Sequence, residues 1–233
     1  MPLEFVSVLS GGERLYGVIH FPSHTPSPLV IASHGLFSSK ESDKFTMLGE
    51  RFSQEGIALL RYDHRGCGES EGDIGETTPS SRLQDLDSIF AFTLKHPLVD
   101  GRRIGLLGSS MGGFISIFKA ASDPRVKALC LWATPAELRG KEASDPPPPL
   151  RREFFEDALR YDSLKMIEKV RNCLILHGRE DELVPLSQAE RLYQAAGEPK
   201  RLFVFEGGDH RFSDPDDRRR AVELSLGWFK TYL

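Results

Sequence analysis

The spacing of apolar positions changes several times along the chain, and each change marks an element. From Glu4 to Ser10 and from Arg14 to Phe21 apolar residues fall near every second position, with Gly11-Gly12 between the two runs. That pattern predicts a β-hairpin with one half-buried face, forming an antiparallel edge. After the turn-rich stretch Pro22 to Pro28, Leu29-Val30-Ile31-Ala32-Ser33 is apolar on both faces, as expected of a strand buried between helices. Helix-like and strand-like segments then alternate. They run as helix Phe45–Gln54, strand Ile57–Tyr62, helix Ser80–Lys95, strand Arg103–Leu107, helix Met111–Ala121 and strand Val126–Trp132. Right-handed βαβ crossovers produce this alternation, so the expected class is α/β, a mostly parallel sheet with helices on both faces.

The rhythm breaks after Thr134. Pro135, the acidic stretch to Asp145 and Pro146 to Pro149 can continue neither helix nor sheet, which predicts a short lid insertion at about 135–162. Periodicity returns with helix Arg152–Tyr161, strand Cys173–His177, helix Leu186–Ala196, strand Arg201–Phe205 and a final helix Asp216–Tyr232. Counting the hairpin, about eight strands result, in a single domain over 1–233.

Composition narrows the partners. A content of 39% hydrophobic and 27% charged residues is that of a soluble globular chain, which excludes a disordered one. The net charge of -4 supplies no positive field for phosphates or anionic lipid, so neither nucleic acid nor membrane is expected. The basic runs Arg151-Arg152 and Arg218-Arg219-Arg220 read as solvated, the second following Asp214, Asp216 and Asp217 at a helix start; neither is assigned a function. Cys67, Cys130 and Cys173 are odd in number and widely spaced, which argues against a disulfide framework or a zinc site. Cys130 and Cys173 are expected to be buried and Cys67 partly exposed. Without a secretory pattern at Met1 or an apolar run of spanning length, the expected location is cytoplasmic.

Candidate chemistry centres on Gly108-Ser109-Ser110-Met111-Gly112, a G-x-S-x-G match at a predicted strand-to-helix junction. Such a turn pushes the hydroxyl of Ser110 out at the carboxyl end of the sheet, where ligands bind in open α/β folds. A serine hydroxyl needs an adjacent base, and the base needs an orienting acid. His210 lies in a loop after the last predicted strand, and Asp181 in the loop after the preceding one, so both reach the same edge as Ser110. Glu180 and Glu182 flank Asp181 but read as solvated. Asp209, adjacent to His210, is poorly aimed to orient it. His20, His24 and His96 are expected at the surface or at caps. The main-chain N–H groups of Leu36, after His34-Gly35, and of Met111 are the expected oxyanion donors, with both side chains free to line an acyl pocket. The loop Asp63 to Ser70 lacks the phosphate-cradle pattern and reads as support for the His34-Gly35 loop. Leu150, Phe154, Phe155 and Tyr161 of the insertion would either cover the site or pack in the core.

These motifs, H-G-L-F-S-S-K, D-H-R-G-C-G-E-S, G-S-S-M-G-G, H-G-R-E-D-E-L-V-P and G-G-D-H-R-F in that order, resemble the α/β-hydrolase superfamily over nearly the whole chain. The chain is most similar to small carboxylesterases of the cinnamoyl or feruloyl type, with monoglyceride lipases and serine aminopeptidase-like hydrolases as relatives. The resemblance implies an α/β-hydrolase fold and a serine hydrolase that cleaves carboxylic esters of small molecules through an acyl-enzyme, without a cofactor or metal. Ser110, Asp181 and His210 match the triad positions, and Leu36 and Met111 those of the oxyanion donors. The insertion departs from the feruloyl esterase pattern, being shorter and richer in proline. A thioesterase, a peptidase and a catalytically silent binding protein are the alternatives, and the reading is compatible with a homodimer.

Overall fold

Strand periodicity in the sequence becomes one sheet of eight strands, here in a computed structural model that describes residues 2–138 and 149–233. In chain order the strands are β1 (Leu3–Ser10), β2 (Glu13–His20), β3 (Ser27–Ser33), β4 (Ala58–Tyr62), β5 (Val99–Ser109), β6 (Val126–Trp132), β7 (Cys173–Gly178) and β8 (Lys200–Phe205). Their order across the sheet is β1-β2-β4-β3-β5-β6-β7-β8. The hairpin β1–β2 joins antiparallel to β4, and every pairing from β4 to β8 is parallel. Two strands begin earlier than their apolar runs. Ser27 and Val99 pair with each other ahead of the apolar runs of β3 and β5 and are both buried, while residues 100–103 of β5 are at least partly exposed.

The helices are α1 (Asp43–Gln54), α2 (Pro79–Thr93), α3 (Met111–Ser122), α4 (Arg152–Ala158), α5 (Ser163–Ile167), α6 (Leu186–Ala195) and α7 (Pro215–Tyr232). Alternate residues of each central strand face opposite layers. Leu29, Ile31, Leu106, Leu129 and Ile175 pack with α2 to α6. Val30, Ala32, Leu107, Cys130 and Leu176 pack with Phe45 and Phe52 of α1 and Val222 and Phe229 of α7. Both faces are covered, which is why the central runs of these strands are apolar on both sides. Caps set the helix starts one residue ahead of the apolar pattern. Thr78 and Ser81 form a reciprocal capping box around Pro79, and Asp214 accepts from the N–H groups of Asp216 and Asp217 around Pro215.

The described part of the insertion contains one helix, α4, and its stretch from 139 through the prolines at 146–148 lies outside the described residues. Leu150 and Phe154 are core residues. Tyr161 packs its ring edge-on against Phe118, 4.9 Å between centroids, and its hydroxyl lies 2.7 Å from Ser80 Oγ.

Some expectations need correction. Cys67 is buried, like Cys130 and Cys173, because Arg82 lies over it with Nη2 3.3 Å from Sγ. His20 is also buried: its Nε2 accepts from Arg61 Nε at 2.9 Å, and the imidazole lies against α1 where Gly49 leaves room. His96 does act at a helix end as expected: its Nδ1 accepts the N–H of Leu98 at 3.3 Å just past α2, while the partly buried ring stacks on Phe21 and lies 3.1 Å from Glu4 Oε1.

Candidate active site

Ser110 is the residue between β5 and α3, and its backbone is held at φ 54 and ψ -122. A non-glycine residue in the left-handed region costs roughly 1–3 kcal/mol, so the surroundings must impose it. They do so through one hydrogen bond on each side. The Ser110 N–H donates to Trp132 O at 2.8 Å, tying the turn to β6, and Ser110 O accepts from Phe114 N at 3.0 Å, starting α3. The hydroxyl is thereby projected beyond the carboxyl end of the sheet.

The acid loop after β7 and the histidine loop after β8 arrive on the same side because β7 runs parallel beside β6 and β8 parallel beside β7. Glu180 N–H donates to Gly208 O at 3.0 Å, stitching the two loops together. Phe212 is fully buried between Trp132 and Phe205 and anchors the histidine loop. The result is a line of three side chains. His210 Nε2 lies 3.1 Å from Ser110 Oγ, and His210 Nδ1 lies 2.9 Å from Asp181 Oδ2. Asp181 Oδ1 also accepts from the N–H groups of Leu183 at 2.9 Å and Val184 at 2.7 Å. Burial alone would raise the Asp181 carboxyl. The hydrogen bonds from His210, Val184 and Leu183 outweigh it and hold the group below its ordinary range. An ionised carboxylate can only accept, so Nδ1 carries the imidazole proton and Nε2 is left to accept from the serine hydroxyl.

The rival acids lie elsewhere. Glu180 is exposed, Glu182 Oε2 accepts the main-chain N–H of His210 at 3.3 Å, and Asp209 Oδ1 accepts from Ser213 N at 2.8 Å. Sequence reasoning overlooked His177. This buried imidazole bonds Val184 O at 2.8 Å and lies 3.4 Å from Asp181 Oδ2, so it braces the acid loop from below; its place at the end of β7 was the available signal.

The His34-Gly35 loop lies against the nucleophile, for a Cβ on Gly35 would meet Ser110 Cβ at 3.1 Å. Met111 is the first residue of α3, so its N–H is one of those a helix leaves without an intrahelical partner. The Met111 side chain is buried in the core, however, and only Leu36 lines the cleft. As expected, the Asp63 loop supports this one. Asp63 Oδ1 accepts from Lys40 N at 2.7 Å and Oδ2 from Lys40 Nζ at 2.8 Å, while His64 N–H donates to His34 Nε2 at 3.1 Å.

The cleft has a volume of about 520 Å³, and Leu36, Lys44, Ser110, His210, Arg211 and Arg218 are among its walls. None of the described residues of the insertion lines it. Phe155 and Tyr161 border a separate cavity of about 870 Å³ with Leu138 and Arg191, so among the described residues the insertion packs rather than covers. Arg218, read from sequence as solvated, is partly buried and holds the histidine loop by donating to Phe212 O and Ser213 O, both at 3.0 Å. Its neighbours Arg219 and Arg220 are exposed, and nothing in an unbroken basic run distinguishes the one that turns inward. Among the described residues, no group of three His, Cys, Asp or Glu side chains could hold a metal ion, and no helix is long and apolar enough to cross a membrane.

Comparison with known proteins agrees with this architecture. The chain superposes on Est1E from Butyrivibrio proteoclasticus, solved with ferulic acid bound, with a TM-score of 0.83 over 97% of this chain and 99% of that one. At 20% identity that likeness speaks for the fold alone. YitV of Bacillus subtilis (strain 168), which bears an esterase name, is 27% identical over 97% of each chain. An Escherichia coli protein of 31.7 kDa from the traX-finO intergenic region is 35% identical over 102 residues, 44% of this chain. The chain spans 35% of that protein's length. The family model of the serine aminopeptidases, S33, matches residues 24–166, a segment that includes Leu36 and Ser110 and ends before Asp181 and His210. This protein therefore has the α/β-hydrolase fold, and it belongs to the serine aminopeptidase S33 family.

Proposed function

We propose that the protein is a carboxylesterase working through Ser110, His210 and Asp181. The observation that carries the reading is the continuous line from Ser110 Oγ through both nitrogens of His210 to Asp181, at 3.1 and 2.9 Å. Ser110 Oγ attacks the ester carbonyl while His210 Nε2 takes its proton, and the main-chain N–H groups of Leu36 and Met111 receive the charge that develops on the carbonyl oxygen. Collapse of the tetrahedral intermediate expels the alcohol, protonated by the imidazolium. Water, deprotonated by the same nitrogen, then releases the acid from Ser110. Asp181 keeps the tautomer correct and offsets the positive charge on His210 in both transition states. The esterase name of YitV, similar to this chain over its length, supports an ester rather than an amide as substrate.

Labelling by a fluorophosphonate and turnover of short p-nitrophenyl esters test the reading. The wild-type protein is expected to do both and Ser110→Ala neither. An aminopeptidase would instead favour aminoacyl p-nitroanilides over the esters. A silent binding protein would give neither labelling nor turnover in the wild type.

A further inference from the structure

The wall of the cleft carries an ammonium that no carboxylate pairs with directly. Lys44, on the first turn of α1, donates from Nζ to Ser109 Oγ at 2.8 Å, a neutral hydroxyl beside the nucleophile. Among the described residues no carboxylate lies within 4.0 Å of it. The charged groups facing it are Arg218 of α7, Asp209 and Arg211 of the histidine loop and Asp181 of the acid loop. None of the carboxylates is free to pair with it. Asp181 is taken by His210, Leu183 and Val184, and Asp209 by the N–H groups of Ser213, Arg211 and Phe212. On its own helix, Asp43 pairs with Arg218 at 3.0 Å.

Direct pairing around it is uneven. Arg218 pairs with Asp43, and Asp181 is bonded to His210, which leaves Lys44 as a cleft cation held only by a neutral hydroxyl. The start of α1 adds to the same sign: Ser42, its N-cap, makes no side-chain capping bond, and its buried hydroxyl oxygen has no partner. Burial, with Arg218 adding to it, pulls the Lys44 ammonium down to about 8. A partly buried cation without a carboxylate partner gains when an anion reaches it.

We infer that this side of the cleft receives a carboxylate carried by the substrate, so that the preferred esters bear one ionised carboxylate near the scissile bond. The inference rests on the esterase reading and adds the charge of the substrate to it. One ammonium without a carboxylate partner suits a carboxylate better than a phosphate dianion. Ser109, the residue next to the nucleophile, holds the ammonium toward the reacting centre until the anion displaces its hydroxyl.

Two pairs of esters locate the carboxylate. p-Nitrophenyl hemisuccinate against p-nitrophenyl butyrate places it on the acyl side; para-acetoxybenzoate against its methyl ester places it on the alcohol side. At about pH 7, kcat/KM is expected to favour the anionic member of one pair. Lys44→Met should cut that preference about tenfold or more, and Lys44→Arg should keep it, since a charged hydrogen bond is being removed or retained. In the wild type the preference should fade as pH rises through about 8, because the ammonium loses its charge there. If Lys44→Met does not fold, Arg211→Ala, at an exposed position, must lower the same ratio. Equal or better turnover of the neutral member in both pairs overturns the inference, as does a ratio unmoved by Lys44→Met. Should no ester be turned over at all, the esterase reading fails. Calorimetric binding of succinate to Ser110→Ala, weakened by Lys44→Met, then decides the inference by itself.

Discussion

Gly112 and Ser33 approach so closely that a Cβ on Gly112 would stand 2.1 Å from the Ser33 carbonyl oxygen. Backbone meets backbone here, so no side chain can yield. Gly112→Ala must push α3 away from β3, and overpacking of this kind costs about 3 kcal/mol. Urea unfolding should show that loss. Fluorophosphonate labelling should fall as well, because the displaced helix carries Ser110 with it.

Asp181→Asn should leave the fold in place while lowering kcat by about 10³–10⁴-fold, the cost of the wrong imidazole tautomer in such triads. The amide oxygen can still accept from Leu183 and Val184, but it no longer offsets an imidazolium. Steady-state kinetics on a p-nitrophenyl ester, with circular dichroism as the control for folding, reads the effect. A loss below tenfold would remove Asp181 from the mechanism.

Leu36→Pro deletes one N–H without touching Ser110 or His210. If that N–H receives the developing oxyanion, kcat falls by about 10²-fold, or about 3 kcal/mol of transition-state stabilisation, with KM changed far less. An equal loss of binding and turnover would instead mean a collapsed loop.

Stability should fall on acidification below neutrality. His64 is fully buried, its Nε2 3.2 Å from the Tyr62 hydroxyl and its Nδ1 3.4 Å from Asp85 Oδ2. Burial lowers it from 6.5 to about 4, although Asp85 pulls the other way. Below about 6.5 the unfolded chain takes up a proton that the folded one refuses, so the stabilisation is complete above that pH and is lost as pH falls toward 4. The loss from His64 is on the order of 3 kcal/mol. His20, likewise held down to about 4 by burial and by Arg61, adds to the same trend. Urea unfolding between about pH 7 and pH 4 should show the decline, with a shallower slope in His64→Asn.

Features that depend on neighbours in the chain were legible in advance. An apolar strand, a G-x-S-x-G turn and a helix start each follow from a few adjacent residues, so the alternation of elements and the position of Ser110 could be read directly. Asp181 and His210 could be placed because parallel strands bring every strand-end loop to one edge, whatever the intervening length. Cys67 and His20 were misjudged for the opposite reason. Cys67 sits in a polar loop and His20 is itself polar, yet each is covered by a distant arginine, Arg82 for one and Arg61 for the other.

By itself, the amino-acid sequence determined the order of strands and helices, the turn that exposes a serine, and the succession serine, acid, histidine. Folding decided the rest. It set the 3.1 Å between Ser110 and His210, sank Phe154 of the insertion into the core, and turned Lys44 and Arg218 into the cleft. The division has one physical cause: local conformation depends on adjacent residues and is written in their spacing, whereas burial and charge balance depend on groups that only packing brings together.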